Sequence, residues 1–191
     1  MRGLPRAALV ASGGFAQIGH SEDVHTGVNM MRVGYVVRYV PVVLAKGLCP
    51  DQLGGFVNQQ YRWCTGSMSL LRDETFHANR MIRWRQRLCF WSGFLYYITT
   101  AVNVLVTPVF LVLMFWLVPD WVYPRNSLFL TGGLVMWLVI NPIVMRGYWR
   151  ISVLRVQMLY SYAHATAIWH IIRGRTQEWV CLLYTSDAAD E

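Results

Sequence analysis

Hydrophobic and polar positions divide the chain into two regimes. Residues 1–71 mix apolar and polar positions with helical and strand periods, whereas 88–118 are almost wholly apolar and 127–145 are nearly so. In the first regime Gly13-Gly14-Phe15 reads as a turn, and Ser21 stands where it would cap a helix from Glu22 to Arg32. Residues 36–44 are rich in β-branched side chains and predict a buried strand. Pro50 and Asp51 open a further helix, in which Gln59, Arg62 and Trp63 lie three and four positions apart and so share one face. Beyond it, from 76 to 88, arginines alternate with Met81, Ile82 and Trp84, the pattern of a helix lying in the headgroup plane.

The apolar stretches are long enough to cross a bilayer, which takes roughly 20 residues. The pattern predicts one span at 98–118, preceded by Phe90, Trp91, Tyr96 and Tyr97 at the interface, and a second at 127–145. Residues 152–172 are interrupted by Arg155, Gln157, His164 and His170, each costly at mid-membrane, and read as interfacial.

Composition agrees with insertion. Hydrophobic residues make up 55% and charged residues 14% of the 191, with a mean hydropathy of +0.33, where a soluble domain carries about 25% charged residues. The net charge of +7 is mostly arginine, grouped at 80–87, 146–155 and 173–175 beside the apolar runs. With two spans all three groups fall on one side, as the positive-inside rule requires. Such juxtamembrane clusters suit anionic lipid and argue against nucleic acid as a partner. The four cysteines form no CxxC pair and have no histidine at finger spacing, so neither a disulfide framework nor a zinc site is indicated. No secretory signal precedes residue 16.

Two motifs in the polar half carry candidate chemistry: Ser21-Glu22-Asp23, and QxxRW at Gln59, Arg62 and Trp63. Each alone has a structural reading. SED suits a helix cap with acidic first-turn residues, and QxxRW suits a helix whose tryptophan packs in a core while its arginine meets a carboxylate. Their order alters the balance, since SED, a strand, a proline-bearing loop, QxxRW, a basic amphipathic helix and apolar spans follow one another.

That order resembles the processive family-2 glycosyltransferases, and among them the bacterial cellulose synthases. ALVASGGFAQIGHSEDVHTG is similar to the family's GGF and TED region, GLCPDQLGGFVNQQYRWCTGSMSLL to its QxxRW helix, and QRLCFW at 86–91 to its interface helix. The resemblance implies an α/β glycosyltransferase fragment of GT-A-like kind at 1–75, an interfacial amphipathic helix at 76–97, two transmembrane helices at 98–145 and a cytosolic-side interfacial segment at 146–180. It implies a multi-pass protein of the inner (plasma) membrane with its catalytic part cytoplasmic. The family's aspartate base maps onto Asp23, with Glu22, Gln59, Arg62 and Trp63 as substrate-binding residues. Implied partners are a UDP-sugar donor, UDP-glucose in the cellulose case, a growing polysaccharide acceptor, the bilayer and accessory synthase subunits. Implied too is Mg2+ or Mn2+, whose ligands in the family precede the part this chain resembles; the chain is therefore expected to begin inside a domain and to be inactive alone.

The chemistry asks for the same groups. In an inverting transfer a carboxylate takes the acceptor hydroxyl's proton, a guanidinium stabilises the departing diphosphate, and a tryptophan face holds a sugar ring in line. Two departures from the family pattern stand nearby: Ser21 replaces threonine, and His25 stands where an acidic or small residue is commoner. GRTQEWV at 174–180 resembles the entry to the family's gating segment, where Trp179 is either part of that gate or an interfacial anchor. Hyaluronan, chitin and poly-N-acetylglucosamine synthases share QxxRW and are the sister readings; a transport or scaffold membrane protein is the reading from another class.

Residues 181–191, CLLYTSDAADE, break in hydropathy and charge from everything before them and coincide with one reading frame of a transposase adapter used in sequencing-library preparation. They are expected to be a non-native scar. Resequencing the locus by a method without that adapter should replace these codons; recovering them unchanged would refute the reading.

Overall fold

A computed structural model describes residues 6–39, 41–43, 46–47, 49–121, 123–144, 146–147 and 150–175. The first helix, α1 (Arg6–Ala11), ends in a turn where Gly13 and Gly14 take φ of +86° and +88° and donate back to the carbonyls of Val10 and Leu9. Only residues without a Cβ enter that region freely, so the glycine pair closes the helix as its sequence predicts. Helix α2 (Glu22–Arg32) follows over the expected residues.

Residues 35–39 and 41–43 form no strand, and no strand occurs among the described residues. Val36, Val37, Tyr39 and Val43 are instead exposed. A β-branched run becomes a strand only against a neighbour that pairs its backbone, and the described residues offer none. The expected strand positions Val40 and Leu44 lie outside the described residues. The described part of the chain is thus helical.

Helix α3 (Leu53–Leu71) carries QxxRW, and α4 (Glu74–Ala78) follows after two residues. The amphipathic stretch expected over 76–97 is not one helix. Asn79 accepts the Met81 N–H at 2.8 Å and its carbonyl accepts from Arg87, which shapes a turn; Gln86 then caps the Arg83 N–H at 2.9 Å, and α5 (Trp84–Leu117) runs unbroken. Among the described residues α5 is the one helix long and apolar enough to cross a membrane. Its far half, including Leu111, Phe115 and Trp116, is exposed, as a lipid-facing surface would be.

The second apolar stretch is helical in three pieces: α6 (Leu128–Val135), a wider turn over Met136–Ile140, and α7 (Asn141–Val144). Pro142 explains the interruption. It has no N–H, its ring crowds the carbonyl one turn back, and the Asn141 N–H reaches five residues back to Met136 instead of four. Met145, the expected end of this span, lies outside the described residues. Helix α8 (Ile151–Ile172) completes the fold.

The core lies where α2, α3, α4, α5 and α8 meet, around Val28, Tyr61, Cys64, Leu70, Phe76, Phe94 and Ala167. Phe76 is fully buried, with the rings of Phe90 and Phe94 edge-on at 5.3 and 6.1 Å. Asp73 holds this corner in two ways. Its carboxylate caps α4 by accepting from the Thr75 and Phe76 backbones, and it pairs with Arg32 at the end of α2.

Burial acts to raise the Asp73 pKa, but the hydrogen bonds from Thr75 and Arg32 and the Arg32 charge outweigh it and bring the carboxyl down to about 2. A depressed carboxylate stabilises the fold above its unfolded value, about 4, and that contribution is lost as pH falls from there toward 2. The protection of α4 amides, taken relative to the intrinsic exchange rate at each pH, should therefore stay constant from neutral pH to about 5 and fall below about 4. Asp73→Asn, which keeps a capping side chain but not the charge, should quicken exchange at neutral pH and flatten the acid dependence; an unchanged acid profile would disprove the assignment.

Candidate functional site

Helix α3 has two faces with different duties. Tyr61, Cys64, Thr65 and Met68 point into the core, whereas Gln59 and Arg62 are half-buried and Trp63 is 48% exposed. The inner face is pinned by α8: the Tyr61 hydroxyl lies 3.1 Å from His170 Nδ1, with the rings edge-on, and the Cys64 thiol donates to the His164 carbonyl at 3.8 Å. Burial pushes the Cys64 thiol up to about 12, so it stays protonated and is no nucleophile. Trp63 is not the core tryptophan that the structural reading of QxxRW requires.

The SED segment meets this helix at Gly66. A methyl built on Gly66 would overlap the Ser21 side chain and stand 3.3 Å from the His20 carbonyl carbon, so the approach exists only because residue 66 has no side chain. Ser21 does not cap α2 as expected. It sits at φ +52°, ψ +46° and makes no side-chain capping bond. The left-handed backbone turns its side chain onto α3 instead of over the first turn of α2. For a residue other than glycine that conformation costs on the order of 1–3 kcal/mol and persists only where surrounding contacts impose it.

His25 supplies part of the imposition. Its Nε2 lies 3.2 Å from the Gly66 carbonyl and 3.1 Å from Ser69 Oγ, which itself donates to Gly66 at 2.8 Å. A carbonyl only accepts, so Nε2 carries the proton. The loop before α2 is tied back as well, the Ala16 N–H donating to Thr26 Oγ1 at 3.0 Å.

Arg62, one turn before Gly66, lies close enough to His20 to affect its ionisation. Burial first, then the Arg62 charge, lower the His20 pKa, and its Nδ1 is buried without a hydrogen-bond partner. Glu22 and Asp23 are exposed at the start of α2, two and three residues from His20; Asp23 Oδ1 accepts the Val24 N–H at 2.8 Å. The two motifs thus share one corner through His20 and Ser21 on one side and Arg62 and Gly66 on the other. Among the described residues no group of three His, Cys, Asp or Glu could hold a metal ion, so these residues display no ligand set for the Mg2+ or Mn2+ that the resemblance implies. Residues 176–180 of the expected gating segment, Trp179 among them, lie outside the described residues, as does 181–191.

Comparison with known proteins decides the family. The model for glycosyl transferase family group 2 matches residues 3–185. The chain belongs to that family. Among its relatives, cellulose synthase 1 of Komagataeibacter xylinus is 36% identical over 90 residues, 47% of this chain and 6% of that protein. The UDP-forming cellulose synthase catalytic subunits of Pseudomonas fluorescens and Xanthomonas axonopodis pv. citri are 30% and 34% identical over 92 and 94 residues, covering 48% and 49% of this chain and 12% and 13% of theirs. The aligned part therefore spans no more than about an eighth of these relatives. No solved structure matches. The resemblance drawn from SED and QxxRW and the assignment as a glycosyltransferase hold at this level.

His25, Gly66 and the Tyr61–His170 pair were not among the expected site residues. Gly66 was open to recognition, because a glycine inside a strong helix marks a close approach; the histidine contacts depend on packing across long separations and leave no local signal. Gly66→Ala should push the 20–25 corner off α3, at about 1–3 kcal/mol for overpacking. Amide exchange should quicken at 20–25 while the protection of α3 against α8 persists; unchanged exchange at 20–25 would show that the approach is not tight.

Proposed function

We propose that this chain carries the acceptor and leaving-group side of a membrane-embedded inverting glycosyltransferase that elongates a β-linked polysaccharide from UDP-glucose, with a GT-A-like catalytic part on the cytoplasmic side. The observation that carries the reading is the corner at Gly66, where the SED segment and the QxxRW helix touch. Asp23 acts as base on the acceptor hydroxyl, its exposure leaving the carboxylate open to an incoming sugar. Arg62 stabilises the charge that develops on the departing diphosphate, as a guanidinium does for phosphate. Trp63 offers its exposed face to the acceptor ring, and Gln59, one turn away on the same face, hydrogen-bonds it. Glu22 completes the polar rim. The divalent ion has no ligand set among the described residues, and no step here is assigned to it.

A groove between α5 and α8 supports passage of a polymer along α5. It has a volume of about 440 Å³, and Thr100, Asn103 and Thr107, on one stripe of an otherwise apolar helix, face Gln157 and Ser161 across it. Polar groups on a spanning helix belong against protein or an aqueous path rather than lipid. The scaffold alternative is disfavoured by the same facts that oppose the structural readings of the motifs: Ser21 is not a cap and Trp63 is not a core residue.

The test uses the protein encoded by the complete gene, assayed in membranes for incorporation of labelled glucose from UDP-glucose at equal amounts of folded enzyme. Asp23→Asn preserves shape and hydrogen bonding but removes the base, so synthesis should fall by about 10²–10⁴-fold while nucleotide binding survives. Trp63→Ala should instead raise the acceptor concentration needed for half-maximal rate. Near-normal synthesis by Asp23→Asn would refute the base assignment.

A further inference from the structure

The C-terminal end of α8 is closed rather than frayed. Gly174 takes φ +65°, its N–H donates to the Ile171 carbonyl at 3.1 Å, and the Arg175 N–H donates to the His170 carbonyl at 2.9 Å. This pair of bonds is a Schellman motif, which a glycine in the left-handed region permits and which supplies donors to two carbonyls of the last turn. A Cβ on Gly174 would meet nothing within 4 Å, so it is the backbone conformation that calls for glycine there. His170, anchored by its main chain, is held by its side chain as well: Nδ1 lies 3.1 Å from the Tyr61 hydroxyl, with the two rings edge-on at 5.7 Å. Helix ends ordinarily fray, and the closing turn makes this imidazole a fixed point.

Tyr61 stands inside QxxRW, directly before Arg62 and two residues before Trp63, and is buried. Two residues apart on a helix are about 200° apart around its axis, so Trp63 faces away from the side that Tyr61 buries. Around the Tyr61–His170 bond the core of α3 and α8 is apolar, with Met68, Ala167, Ile168 and Ile171 in it. Apolar packing sets how closely two helices lie but has no preferred direction. A hydrogen bond weakens steeply outside a narrow range of distance and angle, and so fixes rotation. We propose that His170 is a positioning residue for glycosyl transfer: held by the closed end of α8, its imidazole sets the rotation of α3 and with it the direction in which Arg62 and Trp63 are presented. This role rests on Arg62 and Trp63 meeting substrate, as in the function proposed above. A bond that served stability alone would leave the turnover of folded enzyme untouched, whereas a reacting group misplaced by about 1 Å costs on the order of 10²-fold in rate.

The experiment uses the protein of the complete gene in membranes, with turnover of UDP-glucose normalised to folded enzyme and the melting temperature measured beside it. Tyr61→Phe and His170→Phe each keep a ring in place and delete the hydrogen bond, and each should lower kcat by about ten-fold or more while KM for UDP-glucose stays near its starting value. The double variant should be no worse than either single one, because the same bond is lost in all three. His170→Asn, whose amide reaches the place of Nδ1, should recover most of the loss. Gly174→Val, strained at a positive φ, should imitate Tyr61→Phe, and Gly174→Asn, which tolerates that conformation, should not. Normal turnover in Tyr61→Phe and His170→Phe would overturn the proposal, as would losses that multiply in the double variant or that only follow the fall in melting temperature. Normal turnover in Gly174→Val would overturn the part given to the helix end. Trp63→Ala tests the underlying reading separately: unchanged use of acceptor there leaves His170 no site to position, whereas impaired use beside normal Tyr61 and His170 variants sinks the positioning role alone.

Discussion

The close approach of α2 to α3 at Gly66 is the constraint on which the rest of the polar half depends. A chain corner can lie directly against a helix only where that helix lacks a side chain, and here the corner contains His20 and Ser21, immediately before the acidic pair. The strain of Ser21 in the left-handed region is offset by His25, which is hydrogen-bonded to the carbonyl of the same glycine and to Ser69. Gly66 therefore does two things at once: its missing side chain admits the corner, and its carbonyl anchors it.

What keeps the α3 face turned toward that corner is the packing behind it. Tyr61 sits inside QxxRW but points away from Arg62 and Trp63, and its hydroxyl meets His170 near the end of α8. Cys64, one turn after Tyr61, reaches the backbone of the same helix at His164, six residues before His170. Because α8 also packs along α5, the helix that carries the motif and the helix able to cross a membrane share one core, reaching from Val28 to Ala167. A site so built holds its sugar-facing side chains on a rigid element backed by tertiary contacts rather than on a loop.

α5 and α8 border two grooves of similar size. Both are walled mainly by apolar side chains, and one also carries the hydroxyls and amides of Thr100, Asn103, Thr107, Gln157 and Ser161. The difference arises from where polar residues fall on one helix: Thr100, Asn103 and Thr107 recur at helical spacing along a single stripe, and Ile98, Val102 and Leu105 along another.

Much of this was legible in the sequence because it is local. Helical period placed α2 and α3 over the residues they occupy, the Gly13-Gly14 pair marked its turn, and sustained apolarity marked α5. The order of SED and QxxRW disclosed the family through a short chemical signature. Three features were decided elsewhere. Residues 35–43 have strand-forming composition and yet form none among those described, since pairing is supplied by a neighbour and not by propensity. Ser21 has the chemistry of a cap and does not act as one, since its backbone obeys the contact with Gly66. His25, Tyr61 and His170 acquire their roles only when segments distant in the chain come to lie side by side. Residue type and spacing determined which groups this protein has; burial and close packing, which depend on the whole fold at once, decided which of them meet.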